Sequence, residues 1–427
     1  MASHPERPAR ETERSAEGRV LVLVLVAVLV TYTAQQLLTP VLAPLSREVG
    51  LTEFQLGLVI TVAAVVFTLA SLAWGRVADR WGHRRVLLTG LVLAAAGMAA
   101  FTVVCRWALA GGQAPEAVLL AMLLTRSVLF GIGVGAVPVA ALSYVGSTTA
   151  GAEARTRAVS MVGAAQAVSL VLGPGLGGAL AVVDLLAPVH LAPVLLVVAA
   201  VVVAALLPRA PRTAAAVDEP RPVRSVAPWD ARVRPFLVVG FLLYLSLGMM
   251  QVIIGFLVQD RLGSDSRDTA VAVGVAFFAT GLVLVATQAV VVPRLRWAPA
   301  PLLRVGSPIA AAGFVVLALA AQLWSITAGM AIIALGLGLA MPGFSAGASL
   351  RVGPTEQGAV AGLVNATTGA TFVLGPLLGT GLYTAAPALP IWLGAATCVV
   401  GACVAGLSRG VVAAPTVSVV QPPGPES

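Results

Sequence analysis

Arg126 is the residue whose chemistry most needs explaining. It lies about nine residues into an apolar run, hence about 14 Å deep at 1.5 Å per residue, near the middle of a ~30 Å hydrocarbon layer. A guanidinium at that depth faces a cavity or a partner and marks a functional site by default; the structural alternative is hydrogen bonding to helix-end carbonyls. No Asp or Glu lies at the centre of any apolar run, and the nearest carboxylates are Asp184 and Asp260 toward one face and Asp79 toward the other. Asp184 and Asp260 therefore stand beside Arg126 as candidates for proton or substrate coupling, with exposed surface acids as the plain alternative. Uncharged polar residues form helical stripes. Tyr32, Gln35, Gln36 and Thr39 share one face at offsets of three, four and seven, and Tyr244, Gly248, Gln251 and Gly255 share another. With Gln166, Phe278, Gln288 and Asn365 they sketch a midplane cavity of hydrogen-bonding and aromatic groups, although each could equally bond a neighbouring helix. A cavity holding an arginine and no carboxylate predicts a neutral or anionic amphiphile and disfavours multiply cationic ligands.

These residues need elements to carry them. The chain has 427 residues, 59% hydrophobic and 10% charged, with a mean hydropathy of +0.97. A soluble protein of this size could not cover so much apolar surface, so many membrane spans are expected. Apolar runs predict spans at 20–42, 54–74, 86–106, 117–145, 158–182, 189–207, 235–258, 269–292, 301–322, 325–346, 357–384 and 389–408. The expected organisation is a disordered tail at 1–19, a six-helix bundle at 20–207, a hydrophilic linker at 208–234, a second bundle at 235–408 and a tail at 409–427. All 26 basic residues are arginine. Twenty-one fall on the side of the linker and tails and four on the other (Arg47, Arg106, Arg261 and Arg267), which puts both termini in the cytoplasm of a plasma-membrane protein. The net charge of +8 therefore reports membrane orientation and gives no argument for nucleic acid.

Other absences narrow the function. Without lysine there is no phosphate-binding loop of the Gly-Lys type, so ATP is not the expected energy source. Cys105, Cys398 and Cys403 show no metal or redox spacing and read as small core residues; no metal or cofactor is expected. A membrane enzyme would want clustered His, Asp or Glu at one depth, and His83 and His190 stand apart.

The chain also repeats itself. Ser169 to Gly178 reads Ser-Leu-Val-Leu-Gly173-Pro174-Gly-Leu-Gly177-Gly178, an apolar stretch with a flat glycine face and a proline. It returns 202 residues later as Phe372-Val-Leu-Gly375-Pro376-Leu-Leu-Gly379. Gly131-Ile-Gly133-Val-Gly135-Ala-Val-Pro138 likewise returns as Gly336-Leu-Gly338-Leu-Ala340-Met-Pro342. Two copies of a six-helix unit explain both, giving an all-α polytopic membrane protein of twelve helices in two pseudo-symmetric bundles.

Three stretches resemble a known family. Gly75-Arg-Val-Ala-Asp79-Arg80-Trp-Gly82-His-Arg84-Arg85 is similar to the cytoplasmic signature of the major facilitator superfamily. Ser169–Gly178 resembles the antiporter motif of its twelve-helix drug–proton exporters, with Ser169 in place of the usual glycine, and Leu38-Thr-Pro40-Val-Leu-Ala-Pro44 resembles the paired-proline end of their first helix. The resemblance implies export of a lipophilic antibiotic or secondary metabolite, driven by the proton gradient, by a monomer alternating between two open states. It also implies that Asp79 latches the cytoplasmic side, which agrees with a physical expectation that its carboxylate faces the exposed N–H groups of helix eleven near Thr355. The family's fourth helix carries an arginine associated with proton transfer; here Gly131 follows Arg126 by five positions where four is usual. Uptake or facilitated transport of a metabolite is the rival reading.

Overall fold

A computed structural model describes residues 7–148, 152–207, 225–353 and 355–408, with side chains described from Gly18 onward except at 146–148 and 152–156. Among the described residues there are helices and turns and no strand, and twelve helical segments are long and apolar enough to cross a membrane. In chain order these are α1 (Gly18–Glu48), α2 (Glu53–Trp81), α3 (His83–Leu109), α4 (Pro115–Val145), α5 (Arg157–Ala181) and α6 (Ala187–Leu206). The second six are α7 (Arg234–Leu262), α8 (Ser266–Leu295), α9 (Pro299–Leu319), α10 (Leu323–Ser349), α11 (Gln357–Ala385) and α12 (Leu389–Leu407). The helix of α1 continues back to Arg7, into the charged stretch. Several spans outrun the apolar stretches that predict them. A helix keeps its backbone bonds as it leaves the hydrocarbon, so the polar ends of α1 and α2 stay helical to Glu48 and Trp81.

Local chemistry fixes the turns. Thr52 Oγ1 accepts the Gln55 N–H at 3.2 Å while Gln55 Oε1 accepts the Thr52 N–H at 2.8 Å, a reciprocal cap that starts α2. Gly82 ends α2 with φ of 79°, a left-handed conformation that favours glycine, and lets α3 begin at once. Asp265 starts α8 by accepting the Asp268 N–H at 2.8 Å.

Helix pairing repeats across the two halves. In the first, α3 packs on α4 and α6, α1 on α5 and α6, and α2 on α4; in the second, α9 packs on α10 and α12, α7 on α11 and α12, and α8 on α10. Glycine positions repeat too. Gly133 lies against Gly90 and Ala94 of α3 as Gly336 lies against Gly306 and Ala310 of α9. Lipid tails supply no hydrophobic drive between helices, so such close backbone approach is what lets dispersion hold them. One buried core belongs to the first half plus Ala270, and a second to the other half plus Ala43 and Leu56. The two buried cores thus stay nearly separate, and the units join where α5 packs on α8, α2 on α11, and the end of α1 on α7 and α8.

A Cβ at Gly336 would collide with the Ala310 backbone, whereas one at Gly358 meets nothing within 4 Å. Gly336→Val should therefore destabilise the fold by about 1–3 kcal/mol, the usual cost of overpacking, while Gly358→Val leaves it unchanged. Thermal melts of the purified chain check this, and equal melting points for the two variants would contradict the packing described.

Candidate functional site

The two halves meet at the end opposite the linker, called here the far end. Where α5 crosses α8, a Cβ built at Gly178 would sit 2.7 Å from the Gly274 Cα. Gly173 and Gly177 of the same helix lie on α1 where that span breaks between Gln36 and Thr39. Pro40 has no N–H, and the amide of Val41 bonds the Leu38 carbonyl at 3.0 Å, so the Leu37 carbonyl is left facing Gly177. Ser169 is fully buried and donates to the Gln166 carbonyl at 2.6 Å. The Ser169, Gly173, Pro174, Gly177, Gly178 stretch is thus a packing surface binding α5 to both α1 and α8.

Charged residues fasten the same end. Arg47 of α1 donates to both oxygens of Asp260 in α7, at 2.5 and 3.1 Å, to Glu53 of α2 at 2.7 Å and to Gln259 at 3.2 Å. Its guanidinium lies over the Phe256 ring at 4.9 Å, and the Tyr383 hydroxyl of α11 donates to Asp260 at 2.6 Å. Thr61 of α2 donates to the Val373 carbonyl of α11 at 3.0 Å. Asp260 therefore sits in a lock between the halves. Asp184 does not join it: exposed in the turn before α6, it accepts the Leu186 N–H at 3.3 Å.

At the linker end the halves stand apart. A Cβ at Gly75, Gly163, Gly358, Gly362 or Gly369 would meet nothing within 4 Å. Asp79 is exposed, with no hydrogen bond or ion pair among the described residues, so it does not engage the start of α11 in this state. Arg84 instead ties α3 to the last carbonyls of α6, donating to Leu207 at 2.7 Å and Ala204 at 2.8 Å, while Arg80 and Arg85 are exposed. Before α11, Arg232 bonds Asp230 at 2.8 Å and Glu356 at 3.0 Å. These hydrogen bonds hold both carboxyls below the usual carboxylate range. The cluster is formed at neutral pH and is lost as pH falls through those lowered values.

Between the two ends lies the polar set. Tyr32 of α1 and Gln166 of α5 come within hydrogen-bonding reach. Gln35 and Gln251 are half-buried, and Gln36 is buried against Gly173. Tyr244 meets Phe344 and Phe372 edge-on, with centroids 6.0 and 6.4 Å away. Asn365 is exposed on the open part of α11. Phe278 is elsewhere: it covers Gly175 and lines an apolar groove of about 510 Å³ on the α5–α8 seam with Leu172, Leu176 and Val275. Two π turns interrupt the spans, Leu123–Leu129 around Arg126 and Thr287–Val291 around Gln288. A π turn takes up an extra residue, and the five-residue step from Arg126 to Gly131 is where that residue is accommodated. Arg126 is buried, with its guanidinium 4.8 Å from the Phe130 ring centroid. Of the cysteines, Cys105 and Cys398 are buried and Cys403 is exposed. No cluster among the described residues could hold a metal.

The family model described as Major Facilitator Superfamily matches residues 24–376. The chain belongs to that superfamily. It is a multi-pass membrane transporter rather than an enzyme. The class C tetracycline resistance protein of Escherichia coli is 27% identical over 412 residues, covering 92% of this chain and 97% of that protein. The bacillibactin exporter of Bacillus subtilis strain 168 is 32% identical over 155 residues, 36% of each chain. A bacterial homologue of the human lysosomal transporter Spinster, solved in an inward-facing, unoccupied conformation, shares the fold with a TM-score of 0.71 at 13% identity, over 96% of this chain and 98% of that one.

Sequence reading placed Asp260 near the far mouth but missed Arg47, Glu53 and Tyr383 as its partners, because the Arg47–Asp260 pair spans 213 positions. If the lock holds the far end shut, Asp260→Asn with Tyr383→Phe should open it. In a Cys403→Ser background, a cysteine at the buried Thr61 should then react with a water-soluble maleimide several-fold faster than without the two lock changes. An unchanged rate would remove the lock from the account.

Proposed function

We propose that the chain exports a lipophilic neutral or anionic small molecule, an antibiotic or secondary metabolite, in exchange for protons. The observation that carries this reading is the geometry of the halves: joined at the far end, parted at the linker end, with Tyr32, Gln166 and Tyr244 between. The arginine excess puts the linker end, and both termini, in the cytoplasm, so the open side faces the cell interior and would load from it. Support for export comes from relatives whose names record resistance or export, one of them similar along nearly the whole chain. The absence of mid-span carboxylates favours neutral and anionic cargo over multiply charged cations.

The cycle is a rocking of two rigid halves about that site. Reversing the state means undoing the Arg47–Asp260 lock and the α5–α8 seam at the far end and closing the linker end. There Asp79, just before Gly82 ends α2 and with the side-chain-free Gly75 one turn earlier on the helix, would dock on the start of α11, where unpaired N–H groups favour a carboxylate. The proton gradient of the cell membrane supplies the drive and one chain suffices as the working unit. Of the three coupling candidates, Asp184 lies in a surface turn and Asp260 is held by Arg47, which leaves Arg126 as the charge nearest the midplane.

Accumulation of a panel of lipophilic antibiotics in efflux-deficient cells tests this directly. The chain should lower accumulation of neutral and anionic compounds several-fold, a protonophore should restore it, and Asp79→Asn should slow export in correctly inserted protein. Unchanged accumulation across the panel would point to uptake of a specific metabolite, and a fully active Asp79→Asn would remove the latch.

A further inference from the structure

Arg126 is the one buried guanidinium in the middle of a described span, and it is only 7% exposed. Its neighbours have partners: Thr125 donates to the Ala121 carbonyl at 2.7 Å and Ser127 to the Val59 carbonyl at 2.6 Å. Arg126 donates to no acceptor among the described residues, and its Nε is fully enclosed with no partner. A guanidinium carries five N–H donors and stays charged. Elsewhere in this chain arginines find acceptors: Arg47 has carboxylates, and Arg84 and Arg261 have helix-end carbonyls. A buried charge without a counter-charge or acceptors is costly, and proteins retain one where something else completes it.

We propose that Arg126 receives the anionic head group of the transported molecule, a carboxylate or sulfonate on a lipophilic body. Two features fit that role. The Phe130 ring, 4.8 Å from the guanidinium carbon, holds the group by a cation–π contact that leaves its N–H donors uncommitted. The fork of donors matches a two-oxygen anion with two parallel hydrogen bonds. The surroundings select sign as well. The acids of the described spans sit at helix ends (Glu48, Glu53, Asp79, Glu116, Asp260 and Asp268), so nothing at mid-depth competes with an incoming anion. The π turn of Leu123–Leu129 fixes where on α4 the arginine projects, as such turns do at ligand sites. The remaining exposed edge of Arg126 is where the anion would arrive.

This inference rests on the transporter reading but not on direction or energy source. The test is equilibrium binding to the purified full chain in lipid nanodiscs by calorimetry, with 1-naphthoate as probe and 1-naphthamide as its neutral counterpart of the same shape. A charge-assisted pair is worth about ten- to a hundred-fold in affinity, so Arg126→Gln should weaken naphthoate by that factor and leave naphthamide unchanged. Arg126→Lys, which keeps the charge but loses the fork, should fall between, and it carries the test by itself if Arg126→Gln does not fold. A merely structural arginine would weaken both probes together. That result, or naphthoate binding that survives both changes, or no naphthoate binding to the unaltered chain, overturns the proposal. Arg126-dependent binding in a chain that exports nothing would sink the exporter reading and leave this one standing.

Discussion

Where α5 crosses α8, backbone lies on backbone, because Gly178 and Gly274 present no side chains to each other. Two apolar bundles immersed in lipid gain nothing from hiding hydrophobic surface from one another, so only close packing and polar contacts can hold them together. Nearly everything that joins the halves is of this kind. The glycine crossing, Gly57 against Thr380, Ala43 against Gly255 and Thr61 on the Val373 carbonyl all lie toward the far end. A joint made of small contacts at one end is strong enough to define a state and weak enough to come apart.

The charges follow the same logic. Arg47, Glu53 and Asp260 are part-exposed, and pairs of that sort are worth about 0.2–1 kcal/mol each. Their value lies in geometry: Arg47 on α1 reaches Asp260 on α7 across the halves, while Glu53 and Tyr383 hold the two partners from their own sides, so the crossing contact exists only while the far end is closed. A differential of a few such contacts is the scale on which a ligand can shift a two-state equilibrium. Arg126 is the contrasting case. It is buried away from both ends with its donors unspent, which makes it a place for a ligand and not a fastener.

Most of the fold was legible because a bilayer leaves few choices. Runs of about twenty apolar residues must be helices, and the recurrence of Gly173-Pro174 as Gly375-Pro376 exposes two copies of one unit. The structure pairs the copies helix for helix, down to Gly133 and Gly336 in equivalent contacts. The placement of the candidate residues was legible in part. Arg126 declared itself by depth, and Tyr32 and Gln166 do come together, because a charge or a polar stripe inside an apolar run has few explanations. What stayed hidden was long-range or geometric. Arg47 looked like an ordinary loop cation, and nothing local ties it to Asp260 or Tyr383. The π turns have no composition signature, though the irregular step from Arg126 to Gly131 was their trace. Phe278, expected in the cavity, covers the α5–α8 seam, since an aromatic ring fills a groove as readily as it lines a pocket.

The account stands on the two ends moving in opposition, and distances across both ends test that most directly. Spin labels at the exposed pair Thr52 and Thr384 report the far end, and labels at the exposed pair Arg76 and Gln357 report the linker end. Measured in nanodiscs by pulsed electron resonance, with Asp260→Asn and Tyr383→Phe to release the lock, the far-end distance should lengthen as the linker-end distance shortens. Both distances changing in the same direction, or neither changing, would contradict a rocking of two rigid halves.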